Sequence, residues 1–362
     1  MESSIKTIGI ITFHRSYNYG SALQAYALKE YLKKIGFYAS VIDYTDLNDF
    51  EQYRLFRFHS YHKSPASFFS DIAFLGAHMK RKRNFELFAQ KYMNLTPKRY
   101  YNCQSLIELN DQFDAFICGS DQIWNLDCTN GINPAFFLAF AGNQKRRIAY
   151  APSLAHTSFK KDYSHELVPY LERIDFLSVR EHESISYLEQ IARREVKQVV
   201  DPTLLLEYED YEVLIKSNVN KQKYLFVYML EDNPKMIQYC LDFAKQNKLD
   251  ICYLTPRCYF NIAGKNLYGI SPNDFLSYLK NASYVITNSF HATVFSIIFK
   301  KKFVTFSTAS SASRMENLLH ILGIEDRLHC DSILKDIDFE DVDSKLKKYR
   351  CCSKQYLEDA LR

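Results

Sequence analysis

Four segments of the 362-residue chain gather side chains that could bind an anion, hold a sugar or move a proton. The strongest is Thr287-Asn288-Ser289-Phe290-His291-Ala292-Thr293, set between an apolar run and an apolar helical stretch. A helix N-terminus offers free backbone N–H groups and about half a positive charge, so it favours an anion, and a histidine placed there could protonate a leaving group. Asn288 and Ser289 add polar groups just ahead of His291. Further on, Ser310-Ser311-Ala312-Ser313-Arg314 again sets hydroxyls and a cation before a helix, and two such loops side by side could hold one dianion.

The segment Val179-Arg180-Glu181-His182-Glu183 puts Arg180 at the end of an apolar run. Its planar fork fits a carboxylate or phosphate, or else it forms an ion pair with a neighbour such as Glu181 or Glu183. Cys118-Gly119-Ser120-Asp121-Gln122-Ile123-Trp124 holds the single tryptophan of the chain. A carboxylate that takes a hydroxyl proton, beside an aromatic face for a pyranose ring, is one reading; Asp121 as a helix cap with Trp124 as core filling is the other. The loop from Thr12 to Ser21, with Asn18, Tyr19 and Gly20, is either a wall of the site or the turn that starts a helix. Val200-Asp201-Pro202-Thr203 reads as mostly structural.

The elements that must position these groups alternate along the chain. Ile8 to Ile11, a helix-period stretch through Ala22, Leu23, Tyr26 and Ala27 capped near Gly36, and a second apolar run ending at Asp43 predict a β-α-β unit. Short apolar runs at 115–118, 148–150, 176–179 and 199–200 predict strands buried on both faces. From Tyr224 the alternation repeats, through YLFVYML, ICYLT, YVIT and FVTF with helical stretches between. The fold class is therefore α/β, with two Rossmann-like doubly wound domains. The expected division is an N-terminal domain at 1–210, a C-terminal domain at 211–340, and a last helix at 341–362 packing back on the first. A helical, basic and aromatic insertion occupies about 46–100 of the first domain. Its Lys80-Arg81-Lys82-Arg83 run reads as a solvated helix face or as an adhesive patch for anionic lipid or an acidic glycan carrier.

Composition narrows the function. Apolar residues at 47% beside 24% charged ones describe a packed protein without long disorder. No apolar run approaches the ~20 residues of a membrane span, and the start lacks a secretory pattern. Nine cysteines, scattered but for Cys351-Cys352 and without metal spacing, read as reduced thiols of a cytoplasmic protein. The excess of 46 basic over 42 acidic residues is too small to imply nucleic acid as a partner. There is no phosphate loop, no nucleophile elbow and no D-x-D of the kind that carries a metal-bound sugar nucleotide, so the reading carries no metal and no cofactor.

Taken together, TFHRSYNYGSALQAYAL, ICGSDQIWN, IAYAPSLA, LSVREHES, VDPTLLL and YVITNSFHATVFSIIF, in that order over about residues 8–325, resemble the polysaccharide pyruvyl transferase family. The resemblance implies a glycosyltransferase-B-like arrangement of the two domains, with a cleft between them, acceptor side first and donor side second. It implies a transferase that takes pyruvate from phosphoenolpyruvate to a pair of sugar hydroxyls as a ketal, releasing phosphate. The setting would be capsule, exopolysaccharide or cell-wall polymer synthesis. It makes His291 the acid or phosphate ligand and Arg180 a donor clamp, with Asn288, Ser289 and Arg314 also on the donor. Asn18, Tyr19, Gly20, Ser120 and Trp124 fall to the acceptor, and Asp121 is the hypothesised base. The acceptor could be a lipid-linked oligosaccharide, with the protein peripheral at the inner membrane face. The rival readings are a nucleotide-sugar glycosyltransferase of similar fold and a non-catalytic carbohydrate-binding scaffold.

Overall fold

The computed structural model describes residues 5–46, 72–157, 159, 161–216, 222–258, 262–307, 312–328 and 336–362. They group into two compact units: residues up to 46 with 89–206 and 349–362, and residues 72–88 with 207–348.

In the first unit, β1 (Thr7–Ile11), β2 (Tyr38–Val41), β3 (Ala115–Cys118) and β4 (Arg146–Ala149) form a parallel sheet in the order β2-β1-β3-β4. A bridge from Ile148 to Phe176 leads on to the short parallel pair β5 (Ser178–Val179) and β6 (Lys197–Gln198). The helix α1 (Tyr19–Lys34) starts where Asn18 accepts a hydrogen bond from the Gly20 N–H at 2.8 Å, and ends at Ile35 with Gly36 at φ +98°, a left-handed turn that glycine takes without steric cost. It is buried along nearly its whole length.

The helix α2 (Leu75–Tyr92) departs from expectation. The stretch 46–100 reads from sequence as an insertion of the first domain, yet its described residues 72–88 group with the second unit. The reason is specific: Asn84 donates to the Gly269 carbonyl at 2.7 Å, and His78 hydrogen-bonds the Tyr268 hydroxyl at 2.7 Å. Residues 47–71 of that stretch lie outside the described residues. The small helices α3 (Ser164–Leu171) and α4 (Ile185–Ala192) complete this half of the chain.

The second unit carries α5 (Tyr208–Glu212), β7 (Tyr224–Tyr228), α6 (Pro234–Asn247), β8 (Asp250–Leu254), β9 (Lys265–Asn266), α7 (Pro272–Asn281), β10 (Tyr284–Thr287), α8 (Phe290–Ile298), β11 (Phe303–Thr305) and α9 (Ala312–Leu322). Its parallel sheet has the order β11-β10-β7-β8-β9. Side-chain caps start the helices: Asn233 before Pro234, the Ser271–Asp274 capping box before Pro272, and Ser289 before Phe290. The last helix, α10 (Phe339–Leu361), begins among residues of the second unit, while 349–362 group with the first. There Ser353 accepts from the Val200 N–H at 2.9 Å, the Tyr356 hydroxyl donates to the Ala149 carbonyl at 2.9 Å, and Arg350 donates to the Leu206 carbonyl at 3.0 Å.

Each sheet therefore has one point where the chain reverses direction across it. These are the β1/β3 gap in the first unit and the β7/β10 gap in the second, and at such gaps the loops leaving the carboxyl ends part and leave a crevice. Close packing beneath the first gap sets the spacing: a Cβ on Gly119 would sit 3.1 Å from the Thr12 Cβ and 3.4 Å from the Leu28 Cδ2. Gly119→Ala is expected to cost ~1–3 kcal/mol by forcing α1 off the strand ends. Equilibrium denaturation checks it, and a neutral result would mean that the helix yields freely.

Candidate functional site

At the carboxyl edge of the first sheet the loops after β1, β3, β4, β5 and β6 are tied by one buried polar network. The Arg180 guanidinium donates to Asp201 at 2.7 Å and to Glu181 at 3.2 Å. Ser120 donates to the same Asp201 oxygen at 2.9 Å, and the other Asp201 oxygen accepts from the Thr203 N–H and hydroxyl. The Arg180 side chain is 4% exposed and its two carboxylate partners are 0% and 2% exposed, so water screens none of these charges. Burial alone would weaken the arginine's hold on its proton, but Glu181, Asp201 and Asp121 outweigh it and raise its pKa above the ordinary value.

Asp121 stands where this network meets the β1/β3 gap. It has φ +73°, a left-handed conformation that costs a non-glycine residue of order 1–2 kcal/mol. Three bonds hold it there: Ser21 donates to one carboxylate oxygen, the Gln122 N–H to the other at 2.9 Å, and the Ser153 N–H to its carbonyl at 2.8 Å. Tyr17, Ala151 and Ala155, in the loops after β1 and β4, also have positive φ. Strained residues gathered on one edge mark the part of the sheet whose shape is held against local preference.

In the second unit His291 lies in the first turn of α8, the helix that follows β10, and is partly exposed. Asn288 is buried and bridges that gap, accepting from the Leu230 N–H and donating to the Glu231 carbonyl, both at 2.7 Å. Ser289 caps the helix, accepting from the Ala292 N–H at 3.4 Å. The paired strands β10 and β11, with Thr287 opposite Thr305, set the two loops beside each other. Arg314 lies on the first turn of α9 and is 9% exposed, while Ser310 and Ser311 lie outside the described residues.

Several expectations change on this geometry. Trp124 is 1% exposed, stacks on Phe137 with ring centroids 4.9 Å apart and donates to the Phe136 carbonyl at 3.0 Å. It is core filling and presents no face to a sugar. Ser120 is fully buried and serves Asp201, Tyr19 is 4% exposed, and Gly20 is the second residue of α1 with its N–H on Asn18; these four hold the loop rather than line an open surface. Asn288 and Ser289 likewise spend their side chains on protein groups. Arg180 is committed to the Glu181 pairing that its sequence neighbourhood allowed, and to Asp201 as well, instead of standing as an open fork.

Sequence reasoning missed a second cluster. Asp43, just after β2, accepts from Arg15 at 2.6 and 2.7 Å and from Arg99 at 3.3 Å, with the His14 Nε2 at 3.3 Å and the His14 Nδ1 facing the Thr12 carbonyl at 3.1 Å. An acidic residue ending the second strand of a β-α-β unit was the available signal, since in dinucleotide folds it binds a ribose. Here cations occupy it. Burial works to raise the Asp43 pKa, but the bonds and charges of His14 and Arg15 pull it well below the usual carboxylate range. Asp201, read from sequence as mostly structural, is bonded within the network, and Tyr349 escaped notice; its hydroxyl is pushed up to about 12 by burial and by Glu181, and it reaches the Arg180 network from α10. Among the described residues no group of three or more His, Cys, Asp and Glu could hold a metal ion, and no helix is long and apolar enough to cross a membrane.

A family model for polysaccharide pyruvyl transferase matches residues 18–310. No curated protein matches the sequence. Among solved structures, a UDP-N-acetylglucosamine 2-epimerase is similar with a TM-score of 0.53 at 11% identity, covering 99% of this chain and 95% of that one. A second, described as a UDP-N-acetylglucosamine 2-epimerase from Listeria monocytogenes, gives 0.50 at 11% identity, covering 98% and 91%. At such identity the likeness is one of fold, Rossmann-like and of the glycosyltransferase-B kind.

Two outcomes are expected from the first unit. Arg180→Met strands two buried carboxylates and should destabilise by ~3–5 kcal/mol, whereas adding Glu181→Gln and Asp201→Asn should recover most of the loss. Thermal melts of the single and triple variants decide it, and equal melts would mean that the pairs carry no net energy. Asp43 has its pKa lowered on folding, so its contribution is present above the unfolded value of ~3.9 and drains as pH falls through and below it. The stability gap between wild type and Asp43→Asn should therefore be larger at neutral pH than in acid, as denaturation at both pH values would read.

Proposed function

Because the chain belongs to the polysaccharide pyruvyl transferase family, we propose that it transfers pyruvate from phosphoenolpyruvate to two hydroxyls of a sugar as a ketal, releasing phosphate. The family match over residues 18–310 carries this reading. In the reaction C3 of the enol gains a proton and C2 becomes electrophilic. Two hydroxyl oxygens bond to C2, each losing its proton, and the C2–O bond to phosphate breaks. The methyl group keeps one proton, and the second leaves on the phosphate.

The second unit is the donor side in this proposal. The first turn of α8 supplies N–H groups and a positive dipole end for the phosphate, and His291 is the acid that serves C3 or the departing oxygen. Its partial exposure in the first turn of the helix after β10 supports the role. Arg314, in the first turn of α9, adds a cation beside it. The first unit is the acceptor side, with Asp121 as base: its carboxylate already accepts from Ser21 and Gln122 and lies at the β1/β3 gap. Arg180 holds the Ser120, Glu181 and Asp201 loops in register, and a donor carboxylate reaches it only by exchange with one of its present partners. The setting we propose is cytoplasmic, in capsule, exopolysaccharide or cell-wall polymer synthesis.

The two solved structures of similar fold are UDP-N-acetylglucosamine 2-epimerases, so a nucleotide sugar is the rival donor. Binding to the native state raises the unfolding midpoint. A rise with phosphoenolpyruvate that exceeds the rise with inorganic phosphate supports the proposal; a rise with UDP-N-acetylglucosamine and none with phosphoenolpyruvate overturns it. His291→Ala is expected to fold normally and to lose phosphate release by ~10²-fold or more. If His291 is the acid, the phosphoenolpyruvate-induced rise persists in that variant, and if it is the phosphate ligand the rise disappears.

A further inference from the structure

We propose that the outer face of α2 docks the protein on an anionic bilayer. The direction of that face is fixed by the inner one. Phe85 and Phe88 are 3% and 2% exposed, Asn84 and His78 are bonded to the 268–269 loop, and Arg81 lies over the Tyr268 ring at 5.5 Å. Gly269 has φ +75°, and a Cβ on it would stand 3.2 Å from the Ala77 carbonyl oxygen, so this loop lies directly against the helix backbone. Arg81 is thereby removed from the basic run and serves the fold.

The outer face combines two features that rarely share a solvated helix. Met79, Arg83 and Leu87 recur every fourth residue on one stripe, with Met79 at 53% and Leu87 at 50% exposure, and Ile72 just ahead of the helix is 48% exposed. Lys80 and Lys82 are exposed beside this stripe, and neither they nor Arg83 form an ion pair among the described residues. From Ile72 to Tyr92 there are five basic residues and one acidic, Glu86, an excess of four that equals the formal charge of the whole chain. The remainder of the protein is balanced, and its basic surplus is concentrated here.

Charge alone would suit any polyanion. The exposed methionine and leucine decide for a membrane, because a soluble polyanion offers them nothing, whereas the headgroup boundary takes apolar side chains while lysines and arginines on either side reach anionic lipid. A site of this kind would hold the protein where lipid-carried acceptors lie, but the docking needs neither donor nor acceptor and stands apart from the proposed reaction.

The test is co-sedimentation with vesicles of phosphatidylcholine alone and of equal parts phosphatidylcholine and phosphatidylglycerol. Wild type should bind only the anionic vesicles and weaken as salt rises. Lys80→Gln, Lys82→Gln and Arg83→Gln together should lower the partition coefficient on the order of 100-fold, with the unfolding midpoint unchanged. Met79→Ser with Leu87→Ser should leave weaker binding that high salt abolishes. Wild type that ignores anionic vesicles, or a triple variant that binds like wild type, overturns the proposal, as does retention on heparin without vesicle binding.

Discussion

The buried contact between Arg180 and Asp201 is the constraint on which the first unit's functional edge depends. Neither charge reaches water, so each is tolerable only with the other in place. Because Arg180 follows β5, Asp201 follows β6 and Ser120 follows β3, satisfying the pair fixes three loops at once. Asp121 then inherits its position as the next residue after Ser120, with a backbone conformation that it would not adopt alone. The network is thus a frame, and Asp121 is the one carboxylate on it that is left partly exposed.

The second unit bridges its strand gap with neutral groups. Asn288 spans the strand gap with two neutral hydrogen bonds, Ser289 starts the helix, the Thr287 hydroxyl donates to the Tyr228 carbonyl of β7, and the Thr293 hydroxyl ties the helix to Thr305 of β11. Neutral bonding leaves the field of the helix N-terminus intact, since a fixed carboxylate beside it would cancel that field. The two edges differ in electrostatic design although both sheets are parallel.

Much of this was legible in the sequence. Strand runs such as Tyr224–Tyr228 and Tyr284–Thr287 announce themselves because parallel strands are apolar on both faces, and the caps at Asn18, Asn233, Ser271 and Ser289 mark helix starts that the structure contains. What could not be read was which polar groups face each other. Trp124 follows a motif that looks like a sugar platform, yet its ring lies on Phe137, a partner thirteen residues on that no local pattern names. The Asp43 cluster joins residues 14, 15, 43 and 99, and the grouping of 72–88 with the second unit rests on bonds to residues nearly two hundred positions away. Local sequence encodes the elements, whereas long-range polar matching is an outcome of the assembled sheet.

The C-terminal helix has a consequence for how the chain is made. Ser353, Tyr356 and Arg350 bond to the backbone of 200, 149 and 206, so the first unit borrows its last helix from the very end of the sequence. On a ribosome the whole of 207–348 emerges before those partners exist. The N-terminal half therefore cannot finish first and wait, as separate domains commonly do; its strands stay unsealed until 349–362 have emerged, and the closing step spans some of the longest sequence separations among the described residues. A chain truncated by a dozen residues would lose little of its length but, with Ser353 and Tyr356, two of those three ties.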